Sequence, residues 1–408
     1  MDADTDPGRR ALALADAHLA DFAARAAEHD RDSTFVTENF AEMQASGLLA
    51  AVVPEPLGGL GLASVHDWIT VLARLATADA STPLALNMHL ATCRGLATAW
   101  RDAIRDEQDG PAAAIATRLR AVAAGDLVFC ATATEAGTDF LRPRTTATRI
   151  DEGWRLDGRK IFVTLSPAAN ACVLNARVPS DEGDRMAFAT VPVDTPGFHL
   201  QDDWDALGMR ASGSQSLVLE DCRVSAGSVQ IAGPWGRWTP TLLMRRTLNN
   251  LTLLAVFVGI ADAASRIAIE SASSETKVKL DGASALASGV QTRVGEMQIA
   301  LHAATGALVW AADRLDAFLA TPAGATPSLE DAHVQMGEYQ QAKWIVHQNT
   351  IAVVSHAMDI VGGGAYLSGH PLARLYRDVR AGPFMQPGGA LDAREYIGQV
   401  ALGRAPLG

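Results

Sequence analysis

A mostly α-helical chain with one β domain in its middle is what this sequence predicts, and three observations carry it. Ala/Leu-rich segments with apolar residues every three or four positions fill residues 8–122 and return after Trp238. Between Gly125 and about Val229 the pattern changes to short runs of period two, separated by D-E-G, D-G and D-T-P-G turns. Nowhere does strand alternate with helix as a doubly wound parallel sheet requires. The chain has 408 residues, 48% hydrophobic and 20% charged, so it can bury core along its whole length. The expected domains are residues 1–124 (helical), 125–237 (β) and 238–408 (helical bundle).

The elements follow in order. Leu12, Ala15, Leu19 and Phe22 recur as one buried face of a first helix. Phe40–Ala50 continues the helical pattern until V-V-P-E-P-L-G-G-L-G, whose prolines and glycines predict a loop. Leu84–Trp100 reads as a buried helix. In the β domain T-T-A-T-R-I, W-R-L-D, K-I-F-V-T, A-C-V-L-N-A-R-V, M-A-F-A-T-V-P-V and S-L-V-L-E read as antiparallel strands, and D-G between Leu156 and Arg159 signals a hairpin. Three long helical blocks, Thr241–Ala272, Ala285–Ala320 and Leu329–Val361, then predict a bundle buried further by self-association. Glycine-rich turns and a short helix near Ala393–Leu402 close the chain.

Charge and cysteine usage narrow the function. A net charge of −12 argues against a nucleic-acid or anionic-membrane partner, since both attract clustered Lys/Arg. Cys93, Cys130, Cys172 and Cys222 are scattered, which predicts neither a zinc site nor a disulfide framework and suits a cytoplasmic protein. The N-terminus is acidic and polar, unlike a signal peptide. The most apolar window, Leu251–Ile260, is shorter than the roughly 20 residues a membrane span needs.

Five motifs in sequence order carry a family resemblance. They are F-A-E-M-Q-A-S-G-L-L-A-A-V-V-P-E-P-L-G-G-L-G (Phe40–Gly61), T-E-A-G-T-D (Thr134–Asp139), D-G-R-K-I-F-V-T (Asp157–Thr164), W-D-A-L-G-M-R-A-S-G-S (Trp204–Ser214), and G-G-G-A-Y with L-A-R-L-Y-R-D-V-R (Gly362–Arg380). Together they resemble the signatures of the acyl-CoA dehydrogenase superfamily over nearly the whole chain. The T-E-A-G-T-D loop is two residues shorter than the family form, and Val163 and Ser212 replace an isoleucine and a threonine. The resemblance implies the acyl-CoA dehydrogenase fold: an N-terminal helical domain, a middle antiparallel β-barrel and a C-terminal four-helix bundle, assembled as a dimer or tetramer. It also implies a flavin, with FAD expected first and FMN or a diffusible reduced flavin as alternatives. Hydroxyls and backbone N–H groups suit the flavin's polar edges, and a flat apolar wall suits its ring. On that resemblance Thr134, Thr138, Phe162, Thr164, Gly362 and Gly363 are the candidate flavin contacts. Glu135 and Asp139 read equally as loop caps or as ligands.

The same alignment exposes departures. If Gln291 is the family's conserved-type glutamine, Leu280 and Ala283 stand where an arginine and a phenylalanine from a neighbouring subunit serve the flavin diphosphate, and Asp359 replaces another glutamine. Losing such charge-assisted contacts implies a differently held flavin or one supplied by a partner flavin reductase. The base positions matter most. Desaturation of an acyl thioester needs a carboxylate near carbon α, yet the two positions where the family carries it fall on Gln386 and Asn249. Asn250 stands where an arginine usually serves CoA. Arg245 and Arg246, one turn away, are candidates to replace it, with a surface role at the helix entry as the alternative. Ser214 is a further candidate substrate contact.

These amides point to a flavin-dependent monooxygenase or oxidase that uses O2 on an acyl thioester, such as a CoA ester, or a small aromatic-type substrate, in a setting such as secondary metabolism. Gln386, Asn249 and His89, which falls where some oxygenating relatives carry a histidine, are the candidate catalytic residues. The alternatives are conventional α,β-desaturation with a displaced base, Glu395 or Asp378, and an inactive structural homologue.

Overall fold

A computed structural model describes residues 1–274, 284–320, 327–385, 392–404 and 406, with backbone alone for 276–277 and 282–283. Five helices come first: α1 (Asp6–Asp32), α2 (Thr37–Ser46), α3 (Val65–Ala76), α4 (Ser81–Arg105) and α5 (Asp109–Ala124). Polar caps set the starts of α1 and α3. Thr5 Oγ1 accepts from the Gly8 N–H ahead of α1, and Ser64 does the same for Asp67 at α3. Ala15 and Phe22 are fully buried on α1, on the face the periodicity predicts. The P-E-P-L-G-G stretch is a loop with a single 3-10 turn, as its composition requires.

The middle region is one eight-stranded sheet. Its strands are β1 (Phe129–Thr132), β2 (Thr146–Ile150), β3 (Gly153–Val163), β4 (Ala171–Val178), β5 (Arg185–Pro192), β6 (Phe198–Leu200), β7 (Gln215–Ser225) and β8 (Val229–Pro234). The order runs β6-β7-β3-β2-β4-β5-β8, with β1 on β4. Two details correct the sequence reading. Pairing is antiparallel except that β4 pairs in parallel with β1 and β2. Asp157–Gly158 makes no hairpin: W-R-L-D and K-I-F-V-T are one continuous strand, and the register against β7 shifts between Leu156 and Gly158. Gly158 has φ +154, and a Cβ there would lie 2.5 Å from Thr145 Oγ1, so this glycine marks a bulge. The actual β2–β3 turn is D-E-G, at residues 151–153.

The C-terminal region holds α6 (Pro240–Leu251), α7 (Leu254–Ser274), α8 (Ser288–Leu319), α9 (Leu329–Val361), α10 (Pro371–Asp378) and α11 (Ala393–Ala401), with a two-residue-long β9 (Thr276–Lys277) and β10 (Gly282–Ala283) between α7 and α8. Helix α9 packs against α6, α7, α8 and α11, and α7 also reaches α3. The first predicted block is therefore two helices. Thr252 Oγ1 donates to the Leu248 and Asn249 carbonyls, and such back-bonding bends a helix. Pro240–Ser274 as a whole is long and apolar enough to cross a membrane, but most of it is buried inside the protein, as a core helix is.

Candidate active site

Eight of the residues singled out by the sequence converge on one cavity of about 490 Å³ between the sheet, α4, α6 and the turn after α10, within the ~300–1,000 Å³ usual for ligand sites. Thr134, Phe162, Thr164, Ser214, Arg245, Arg246, Asn249 and Asn250 all line it.

The strand ends build one wall. Ile161 N–H donates to the Thr134 carbonyl, and Thr132 Oγ1 donates to the Ile161 carbonyl, fixing the T-E-A-G-T-D loop beside β3. Just beyond, Phe162 adopts φ +57 and Leu165 φ +75. A bulky side chain at positive φ is strained. Here it leaves the ring 52% exposed at the cavity, edge-on to Trp204 at 5.9 Å. Thr164 and Ser214 hydroxyls are 2.8 Å apart and Ser214 and Ser212 hydroxyls 2.7 Å, a buried chain of three donor-acceptors. Glu135 braces the loop rather than facing a ligand. It accepts from the Arg144 and Thr145 N–H groups and from Lys160 Nζ (2.5 Å), while Asn175 Oδ1 takes a second Lys160 bond. Burial opposes its ionisation, but Lys160 prevails and holds the carboxyl below its ordinary range. Asp139 likewise caps Leu141 and Arg142.

Helix α6 and the segment after α10 build the cationic wall. Arg245 lies over the Phe188 ring at 4.2 Å and Arg246 over Phe140 at 4.6 Å. Burial lowers the pKa of both, Arg246 to about 10. They are not surface residues at a helix entry. Among the described residues neither meets a carboxylate, nor does Arg380 beside them, whereas Arg377 pairs with Asp30. Asn250 Nδ2 donates to the Arg246 carbonyl (2.7 Å), and the Asn249 carbonyl accepts from Asn87 Nδ2 (3.2 Å).

Among the described residues no Asp or Glu lines the cavity. Asp378 is buried behind it, where its Oδ1 accepts from the Met209 N–H at 2.6 Å, and burial raises its pKa to about 7. Glu395 is exposed on α11 and accepts from Gln399. Neither alternative base reaches the cavity. Gly208 permits the docking of the Leu207–Met209 turn on α10, since a Cβ there would lie 2.5 Å from the Arg377 carbonyl.

Four expectations are corrected. His89 does not face the cavity: Nε2 donates to the Leu49 carbonyl (3.1 Å), Nδ1 accepts from the Phe129 N–H (3.0 Å), and burial lowers its pKa to about 4. It is a bridge between two backbones. Thr138 spends its hydroxyl on the Arg142 carbonyl, outside the cavity. Gly362 and Gly363 are exposed at the end of α9, where Gly362 at φ +79 stops the helix, and they do not line this cavity. Gln386 and Leu280 lie outside the described residues, as do the surroundings of Ala283. Reading the sequence missed Phe140, Phe188, Trp204 and Arg380. Trp204, which opens the W-D-A-L-G-M-R-A-S-G-S motif, and Arg380, inside R-D-V-R, carried a local signal.

These residues fit a flavin, with an exposed ring at strained φ for a flat face and clustered hydroxyls for a polar edge, and the cations suit a phosphate-bearing ligand. The chain matches three domains of one family, described as acyl-CoA dehydrogenase, N-terminal domain (residues 10–107), middle domain (128–222) and C-terminal domain (251–384). It is 37% identical over 403 residues to L-evernosamine nitrososynthase of a Micromonospora species, covering 98% of this chain and 91% of that protein. It is 36% identical over 405 residues to the amino sugar nitrososynthase DnmZ of Streptomyces peucetius, covering 98% and 95%. The crystal structure of KijD3 with FMN and dTDP-3-amino-2,3,6-trideoxy-4-keto-3-methyl-D-glucose superposes with a TM-score of 0.90 at 36% identity, covering 99% of this chain and 96% of that one.

Proposed function

This chain belongs to the acyl-CoA dehydrogenase family and is a flavin-dependent oxidoreductase, and from that premise we propose that it oxidises the amino nitrogen of a nucleotide-linked amino sugar with O2, through the hydroxylamine to the nitroso sugar. The observation that carries this reading is the charge of the cavity: among the described residues, arginines 245, 246 and 380 have no ion pair and no carboxylate lines it. Desaturation of a thioester needs a base at carbon α, so the acyl-thioester substrate expected from sequence gives way. An amine has the opposite need. Its lone pair must be free of a proton, and neighbouring cations lower an amine's pKa while no acid is present to stabilise the ammonium form. The nitrososynthase relatives support the same substrate class.

The step balances. Each oxygen atom inserted takes one O2, two electrons and two protons and releases one water. The first insertion converts R–NH2 to R–NHOH. The second gives R–N(OH)2, which loses water to R–N=O. Reduced flavin, when bound, supplies the electrons that activate O2. Thr134, Thr164, Phe162 and Trp204 would hold it, and the Thr164–Ser214–Ser212 hydroxyls can pass protons along their chain. Asn249 offers an amide to the reacting groups without competing for a proton. Its neighbour Asn250 orders the helix beneath, while the Phe188 and Phe140 rings hold the arginines in place. FMN fits better than FAD, because the position of the family's arginine for the flavin diphosphate is Leu280 in this sequence, and KijD3 binds FMN. A partner flavin reductase would supply it reduced.

The test is purified protein with a flavin reductase, NADH, FMN and a dTDP-linked amino sugar under labelled O2. The expected product gains oxygen from O2 at nitrogen. Anaerobic flavin bleaching by an acyl-CoA with enoyl-CoA formation would overturn the reading.

A further inference from the structure

Arg245 and Arg246 are adjacent in sequence, yet both line the cavity from α6. Their guanidinium groups lie over two rings, Phe188 and Phe140, whose centroids are 6.3 Å apart. Phe140 is itself stacked on Trp238 at 5.6 Å, so the platform is braced from behind. Arg246 Nε is buried and has no hydrogen-bond partner among the described residues. A half-buried cation without a counter-ion among the described residues is costly, and a ligand that brings negative charge offsets that cost. Two of them side by side, in a chain of net charge −12, are placed there against the sign of the whole protein.

Ring stacking fixes the plane of a guanidinium and leaves its N–H edge free, which is the arrangement that grips phosphate oxygens in pairs. We propose that the Arg245–Arg246 pair is a diphosphate clamp that holds the nucleoside diphosphate of the substrate and so restricts the enzyme to nucleotide-activated sugars. This rests on the amino sugar reading above and adds to it the part of the substrate that is recognised. A flavin phosphate is the other source of the same chemistry. The clamp belongs with Phe140 and Phe188, however, and not with the Phe162–Trp204 pair that suits the flavin ring. The two guanidinium groups, seated on rings 6.3 Å apart, offer one edge to each phosphate of a diphosphate.

The experiment titrates thymidine diphosphate, thymidine monophosphate, thymidine and FMN separately into wild type, Arg245→Gln and Arg246→Gln, by calorimetry. Thymidine diphosphate should bind wild type best of the three nucleosides and lose about ten- to a hundred-fold in affinity in each variant, the range for one charge-assisted contact. Thymidine and FMN should bind all three proteins alike. The unliganded variants should melt close to wild type, because each loses one ring contact and no ion pair among the described residues, so loss of binding is separable from loss of fold. Equal thymidine diphosphate affinity in wild type and variants overturns the clamp, as does a loss confined to FMN. Either result leaves the oxidation of the amino sugar to its own product assay. Failure of that assay with the nucleotide titration intact would remove the reaction and keep the clamp.

Discussion

Replacing His89 with leucine separates a structural histidine from a catalytic one. The ring is fully buried and joins two backbones, Leu49 C=O at 3.1 Å and Phe129 N–H at 3.0 Å. Leucine fills similar space but leaves both groups buried and unpaired. Each orphan costs about 1–3 kcal/mol, so the variant should lose about 2–6 kcal/mol. A second signature lies in pH. Burial is the first cause of the lowered pKa, which falls from an ordinary 6.5 to about 4. The unfolded chain therefore takes up a proton at His89 below 6.5, while the native protein refuses it until about 4. Stability falls as pH drops through that window, by about 3 kcal/mol for this residue. Urea unfolding of flavin-free wild type and His89→Leu, near pH 7.5 and near pH 4.5, measures both effects. The gap between the two proteins should be large near neutrality and should shrink in acid, since only wild type pays the protonation penalty. Comparing variant with wild type cancels the other titrating groups. A variant as stable as wild type that has lost turnover would refute the argument and return His89 to the chemistry.

Three other outcomes are expected. Lys160→Met strands Glu135 as a buried charge and should cost about 3–5 kcal/mol in unfolding experiments. The double variant with Glu135→Gln should recover part of that loss. Phe162→Gly relieves about 1–2 kcal/mol of left-handed strain, so the flavin-free protein should be no less stable while FMN fluorescence titration shows several-fold weaker binding. Asp378 works in the opposite direction to His89. Its pKa is raised to about 7, chiefly by burial, so the native state holds a proton that the unfolded chain releases, and stability falls as pH rises from about 4 to 7. Asp378→Asn keeps an oxygen for the Met209 N–H, so it should be stabilising near pH 8 and nearly neutral near pH 4 by thermal melting.

Much of the architecture was legible because its signals are local. Apolar spacing and Ser/Thr caps are read within one helix turn, and Leu329–Val361 forms just where its periodicity places it. Thr134, Phe162 and Thr164 could be proposed from the sequence because they sit in motifs whose neighbours fix the backbone. Local signals also misled. Asp157–Gly158 resembles a hairpin turn, and only the partner strand β7 shows that it is a bulge. His89 sits in a helix beside Met88, which does line the cavity, and a rotation of one residue along α4 turns it away to Leu49 and Phe129.

The sequence by itself determined the three-part chain, the strand ends that carry hydroxyls and the absence of glutamate at the two expected base positions. The tertiary structure alone decided that Arg245 and Arg246 sit half-buried over aromatic rings, without acidic partners among the described residues. It also decided that no described carboxylate reaches the cavity. The reason is physical: periodicity and turn chemistry act over a few residues, whereas the charge of a cavity is a sum over side chains delivered by α4, the strands, α6 and the segment after α10.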